Sequence, residues 1–389
     1  MRDRISITAM ASLSALGAER SEIWESYLSD LSLIRSRDFG RFEALVSSIE
    51  QEHWSEVAQL RQNKNYRDLD PSVLMAIHVS RKALSKVSWS TRDFGINMGS
   101  SRGSTHLFET YHKEFIESGG KRVSTLSSPT TTLGNLSSWV GHDLQATGPT
   151  ISHSIACSTA LHGVLNGIAW LNSGMSDRFL TGGSEASNTP FTLAQMKALK
   201  IYAEKGGAFP CRTLDLNKKS NSMVLGEAAA VFCLEKGVKP DALALIEGIG
   251  YATEPLKHNI SISADAQCFQ KSMRMALGHM DPQKIDLIVT HAPGTIKGDL
   301  SEVRAIQKVF GPNVPALTSN KWIIGHTLGA SGAMSLEMAI LMLQEQKFIG
   351  VPFLQEQAVP SRIEKIMVNA VGFGGNAVSI VVSSIHPMS

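Results

Sequence analysis

The chain reads as an α/β protein built from two similar halves. Three observations predict this: strand-like and helix-like periodicities alternate along the sequence, the same order of elements occurs twice, and a strand in each half runs into paired glycines, Gly182-Gly183 and Gly374-Gly375. At 389 residues the chain exceeds a typical single domain, which fits two domains or one fold made by duplication.

In the first half, a helix from Val73 to Leu84 precedes an extended segment Gly95 to Met98 and a Gly/Ser-rich loop from Gly99 to Ser104. In the second half, the spacing predicts a helix from Ala266 to Leu277, a strand from Ile285 to Thr290 and a loop from His291 to Thr295. The order then repeats. A strand from Thr150 to Ala156 leads into Cys157 and a helix whose apolar positions are Leu161, Val164, Leu165, Ile168 and Ala169. Its counterpart is Pro315 to Thr318, a loop carrying Lys321 and His326, and a helical run from Leu328 to Leu343. The charged Glu235–Pro240 stretch, with its Gly and Pro, separates two apolar strands and marks the junction. The predicted halves are residues 1–238 and 239–389.

Composition removes several function classes. With 43% hydrophobic residues, 19% charged residues and a net charge of +2, this is an ordinary globular composition, and nucleic acid is not an expected partner. The start, Met1 to Ile7, lacks the apolar core of a signal peptide, so the expected location is the cytoplasm. No run approaches the roughly 18 apolar residues of a membrane span. A lipid-like substrate is therefore expected to arrive on a soluble carrier. The cysteines are Cys157, Cys211, Cys233 and Cys268; they form no C-x-x-C pair and sit near no histidine at metal-ligand spacing, so neither disulfides nor a metal is predicted.

One cysteine stands in a chemical context. Between a strand and an apolar helix, Cys157 would sit at a helix N-terminus, where free N–H groups and the macrodipole favour a thiolate. The same turn could offer N–H donors to an oxyanion. A cysteine merely packed in a tight turn has the same local signature, and the histidines separate the two readings. His291 follows a strand and His326 precedes a buried-looking helix, positions where active sites collect in α/β folds. Cysteine with two histidines suits thioester condensation, whereas one His with Asp or Asn suits hydrolysis.

These residues resemble those of the β-ketoacyl-acyl carrier protein synthases, the elongating condensing enzymes of the thiolase superfamily. Ala156-Cys157-Ser158-Thr159-Ala160 is similar to the family's nucleophile turn, and Gly182-Gly183-Ser184-Glu185 to the segment after it. Weaker echoes are Cys211 to Asp215 and Leu225-Gly226-Glu227. His291 through Asp299 and Glu302 resembles the first histidine motif, Lys321 and Gly325-His326 the lysine and second histidine, and Gly372 to Gly375 the gate loop. Six such motifs in order span nearly the whole chain.

The resemblance implies a five-layered αβαβα thiolase-like fold, normally dimeric, with a Cys-His-His site at the end of a pantetheine tunnel. It assigns Cys157 as the acylated nucleophile. His291 and His326 would stabilise the enolate left by malonyl decarboxylation, with Lys321, paired with Glu302, setting the local field. Asp299 would order the histidine loop, Thr295 would contact pantetheine, and the backbone at Cys157 and Phe373 would hold an oxyanion. No cofactor is implied. The partners implied are an acyl carrier protein and a second subunit, identical or ketosynthase-like.

Departures accompany the match. The family's His-Gly-Thr-x-Thr is here His291-Ala292-Pro293-Gly294-Thr295, and the acidic residue nine positions after the second histidine is Ser335. Gly-Glu-Gly becomes Gly226-Glu227-Ala228, and the gate loop continues Asn376-Ala377. The first variant resembles bacterial aryl-polyene synthases more than fatty-acid enzymes. The rival reading is a silent chain-length-factor-like subunit, but such relatives typically lack the cysteine that stands here at 157. A thiolase would carry a second cysteine near the C-terminus, and none follows Cys268. An initiating synthase would have Asn where His326 stands.

Overall fold

The computed structural model describes residues 4–133, 135–255 and 262–385. Two five-stranded sheets organise them. The strands of the first sheet are β1 (Ile5–Ser14), β2 (Gly95–Gly99), β3 (Thr150–His153), β4 (Arg178–Glu185) and β5 (Ala228–Lys236). The second contains β6 (Ala244–Thr253), β7 (Leu287–Val289), β8 (Ala316–Thr318), β9 (Lys365–Gly372) and β10 (Asn376–Ser383). Their spatial orders are β1-β5-β4-β2-β3 and β6-β10-β9-β7-β8. In each sheet the first two pairings are antiparallel and the last two parallel. The order and pairing directions are therefore the same twice.

Helices fill three layers around these sheets. Between them lie α3 (Thr159–Ser173) and α6 (Ser331–Glu345), packed on Phe179, Phe232 and Leu234 of one sheet and Val289, Val368 and Ile380 of the other. Helices α1 (Pro71–Leu84) and α2 (Asn135–Leu144) cover the outer face of the first sheet. The outer face of the second is covered by α4 (Gln267–Leu277) and α5 (Ile296–Phe310). This is the expected αβαβα layering. Between the sheets, α6 is buried from Ser331 to Leu343, which explains why its sequence is apolar all round rather than striped. The outer helix α4 instead buries Cys268, Phe269, Ser272, Met273, Ala276 and Leu277, a face at helical spacing.

Several predicted boundaries shift, each for a local reason. The strand expected to reach Ala156 ends at His153, because Ala156 adopts φ 45°, in the left-handed region, and turns the chain out of the sheet. The strand expected over Ile285 to Thr290 is confined to Leu287–Val289, and that expected from Pro315 begins at Ala316. Lys321 opens a short helix, Lys321–Ile324, instead of lying in a loop. The helical run expected from Leu328 begins as a 3₁₀ turn, Leu328–Ala330, before α6, since Leu328 itself has φ 42°. Among the described residues no helix is long and apolar enough to cross a membrane.

Candidate active site

The turn after β3 is tightly tied to the start of α3. Ile155 N donates to Thr159 Oγ1 at 2.8 Å, Thr159 Oγ1 donates to Ala156 O at 2.6 Å, and Ser158 Oγ donates to Ile155 O at 2.9 Å. These bonds hold Ala156 in its strained conformation and fix Cys157 at the head of the central helix. The glycine that ends β9 closes onto this turn: a Cβ on Gly372 would come within 2.5 Å of Ile155 O. No other residue fits there, and the next residue, Phe373, stands half-exposed and lines the same cavity as Cys157.

Both histidines converge on the same space. The His291 and His326 rings lie 5.1 Å apart, edge to face at 83°. His291 N donates to Glu302 Oε1 at 2.9 Å and Ala292 N to Glu302 Oε2 at 2.7 Å, so this buried carboxylate clamps the histidine loop from α5. Asp299 takes the far end of the loop, accepting from Gly294 N at 3.0 Å, Leu214 N at 2.9 Å and Lys218 Nζ at 2.7 Å. His326 is held by its backbone, which donates to Val224 O at 2.6 Å and accepts from Gly226 N at 3.1 Å. Both rings are buried, and the Nδ1 of each has no partner.

A cavity of about 960 Å³ gathers Cys157, His291, His326, Thr295 and Phe373 on its wall. Its rim includes the exposed Lys200 and Lys297, so it opens to the surface. Apolar side chains, among them Met196, Ile201, Phe269 and Leu328, line the rest. No spacing in the sequence marks these four, because they come from three separate stretches and look like ordinary core residues. Glu185 stands in the Gly182–Glu185 motif, and nothing in the sequence assigns it a role. Fully buried, it accepts from Ser100 Oγ, Ser101 N and Gly329 N at 2.8 to 2.9 Å, joining the β2 loop to the turn that follows His326.

Two expectations change. Cys157 is not a low-pKa thiol: burial pushes it up to about 12, with the Glu185 charge adding to the rise and Lys321 opposing it. Desolvation at this enclosed site outweighs the helix N-terminus. Lys321 is not in contact with Glu302: its Nζ donates to Asn320 Oδ1 at 2.9 Å and Ser335 Oγ at 3.0 Å, while the Glu302 oxygens are occupied by backbone N–H groups and Asn369. Glu302 still acts on Lys321 through its charge, but burial wins and lowers the ammonium to about 8. Thr295 does face the cavity, yet its hydroxyl oxygen also caps α5, accepting from Gly298 N at 3.1 Å.

Burial also keeps the histidines uncharged. It lowers His326 to about 3 and His291 well below the ordinary range, with Lys321 pushing both in the same direction. Each ring is therefore a neutral imidazole with one N–H to offer. A cysteine thiol, two neutral imidazoles and an apolar cavity reached from the surface suit chemistry that builds negative charge on a thioester oxygen.

Residues 2–239 match the N-terminal domain of β-ketoacyl synthases and residues 243–352 the C-terminal domain. The chain belongs to the β-ketoacyl synthase family and is a condensing acyltransferase. It is 26% identical to 3-oxoacyl-[acyl-carrier-protein] synthase 2 of Coxiella burnetii, over 98% of this chain and 99% of that one. A β-ketoacyl synthase from Burkholderia phymatum superposes with a TM-score of 0.85 at 22% identity, covering 99% of this chain and 100% of that chain. The ishigamide ketosynthase/chain length factor has the same TM-score at 19% identity, with the same coverage.

Proposed function

We propose that this chain elongates acyl groups carried on an acyl carrier protein, in the cytoplasm, with Cys157 as the acylated residue. The observation that carries the reading is the shared cavity: Cys157, His291 and His326 meet in one apolar space whose rim bears Lys200 and Lys297. A slender thioester arm fits such a cavity, and cations at its rim suit the phosphate of a phosphopantetheine arm.

The neutral Cys157 thiol attacks the acyl thioester, its proton passing to the departing carrier thiol. Malonyl thioester then enters, and cleavage of its C–C bond releases carbon dioxide and leaves an enolate. The N–H groups of His291 and His326 stabilise the enolate oxygen, supported by the Lys321 charge. The carbanion attacks the Cys157 thioester, whose oxygen is held by backbone N–H groups at Cys157 and Phe373. The sulfur leaves as thiolate and takes up a proton. Glu302 and Asp299 position the loop carrying His291, and Thr295 borders the arm. No cofactor enters this sequence. Residues 1–238 and 239–389 serve as two duplicated halves, a division supported by the repeated sheet order.

The subunit pairs with a second copy or with a ketosynthase-like partner, and the edge strand β3 leaves a free edge for pairing. Its acyl substrate is proposed to be a conjugated, aryl-polyenoyl chain, on the resemblance of the His291 motif. A polyene loses conjugation when twisted and so needs a straight slot, whereas a saturated chain bends. Elongation rates on polyenoyl and saturated carrier-protein substrates of equal length test this. Equal or faster turnover of the saturated series restores ordinary fatty-acid elongation while leaving the Cys157 mechanism intact.

A further inference from the structure

Helix α6 carries chemistry on two sides. Residues two apart on a helix point about 200° around the axis from each other, so Ser335, bound to Lys321, and Glu337 face different surroundings. Glu337 faces a second cavity of about 400 Å³, formed by β1, α6, the helix Arg20–Leu28, the end of α1 and the segment before β6. This cavity shares no lining residue with the one that holds Cys157.

Its floor is unusual for a protein interior. Glu337 is 2% exposed and Ser12 1% exposed; the Ser12 hydroxyl lies beside the Glu337 carboxyl, yet neither Glu337 Oε2 nor Ser12 Oγ makes a well-formed hydrogen bond. A buried carboxyl with an open oxygen is costly unless something donates to it. Burial pushes Glu337 up to about 7, opposed first by the neighbouring Ser12 hydroxyl and then by the charges of Lys86 and Lys82. The rim has the opposite character. Lys86 Nζ donates to Met10 O at 3.0 Å and keeps two further N–H groups, and Arg20 stands beside it, bonded to Glu345 at 2.6 Å. Asp241 completes the rim, and the walls between rim and floor are mainly apolar.

We propose that this cavity is a second, small-molecule site for an amino-carboxylate. Its ammonium reaches Glu337 and Ser12, its short apolar body lies along the walls, and its carboxylate meets Lys86 and Arg20. A simple amine would have to pass the two rim cations, and a simple carboxylate would face Glu337 without a donor. Only a ligand charged at both ends satisfies floor and rim together. The size excludes a single bare ion as the fitting occupant, since one ion leaves most of the volume empty.

The test is calorimetric titration of the whole protein with 5-aminopentanoate, using pentanoate and pentylamine as one-ended controls. The expected result is saturable binding of 5-aminopentanoate, at least tenfold tighter than either control. Glu337→Gln, nearly isosteric, should weaken it at least tenfold and leave pentanoate unchanged. Lys86→Met at the exposed rim should also weaken it, which keeps the test decisive if the Gln variant folds poorly. Absence of saturable binding, equal binding of all three probes, or full retention in both variants would overturn the proposal. So would crystals soaked in the probe whose cavity holds water alone.

Discussion

His291 and His326 face each other edge to face, ring centroids 5.1 Å apart, and burial, with the Lys321 charge adding to it, lowers the basicity of both. Two imidazoles this close could not both be charged without strong repulsion, and burial keeps both neutral. They are thus suited to donating N–H bonds to an oxygen that becomes anionic only after decarboxylation. His291→Ala and His326→Ala should each slow malonyl decarboxylation by about 10²–10³-fold, the usual loss for one oxyanion donor, while acyl transfer to Cys157 falls far less. The half-reactions are measured separately, by carbon dioxide release and by intact mass. Loss of acylation with normal decarboxylation would contradict these roles.

Cys157 should be the acylated residue and yet react slowly with ordinary alkylating agents. With its thiol held near 12, the thiolate fraction rises about tenfold per pH unit from neutrality upward. Iodoacetamide labelling of Cys157, followed by peptide mass mapping, should therefore accelerate steadily from pH 7 to beyond 9 without levelling. Glu185→Gln removes the charge that adds to the rise and should speed labelling at a given pH. A plateau below pH 8 would show that the helix N-terminus dominates after all. Cys157→Ala should abolish the acyl adduct.

Lys321 has two neutral hydrogen-bond partners, Asn320 and Ser335, the latter standing where the resemblance places an acidic residue, and burial lowers its ammonium to about 8. If its charge assists decarboxylation, activity falls as pH rises through that value. Ser335→Asp places a carboxylate beside Nζ and should move the alkaline limb upward by about one unit or more, the usual effect of an adjacent opposite charge. Ser335→Ala removes an acceptor and should move the limb down. Identical limbs in the three proteins would remove Lys321 from the rate-determining charge balance.

Much of this architecture is legible in the sequence because the duplication writes each pattern twice. The helix at Val73 to Leu84, the strand at Gly95 and the loop at His291 are local, periodic features, and they lie where spacing places them. What spacing cannot convey is burial. A helix end by itself favours a thiolate at Cys157, and burial in the enclosing cavity outweighs it. The Lys321–Glu302 pairing failed for a related reason: Glu302 had already been claimed by the backbone N–H groups of His291 and Ala292. A strand end and a helix start also shift, where Ala156 and Leu328 take left-handed conformations that no L-residue preference announces. Glu337, a single carboxylate in an apolar helical run, offered no periodic signal that it faced a cavity.

Glu337 should leave a measurable mark on stability in the ligand-free protein. Its pKa rises from 4.5 to about 7 on burial, so between those values the folded chain holds a proton that the unfolded chain has released. For a carboxyl raised in this way, the stabilising share is fully present below about 4.5 and is lost as pH increases through about 7. The slope is about 1.4 kcal/mol per pH unit for one group, which over this interval sums to about 3 kcal/mol. Glu337→Gln keeps the shape of the protonated form and cannot ionise. The variant should match the wild type near pH 5 and become progressively more stable than it toward pH 8, read as a widening difference in urea midpoint at constant m. Other buried carboxyls, Glu185, Glu227 and Glu302, also sit near 7 and slope the same way in both proteins, so the difference isolates Glu337. Parallel curves across that range would mean that Glu337 is already paired in solution and that its open oxygen is filled by a bound donor.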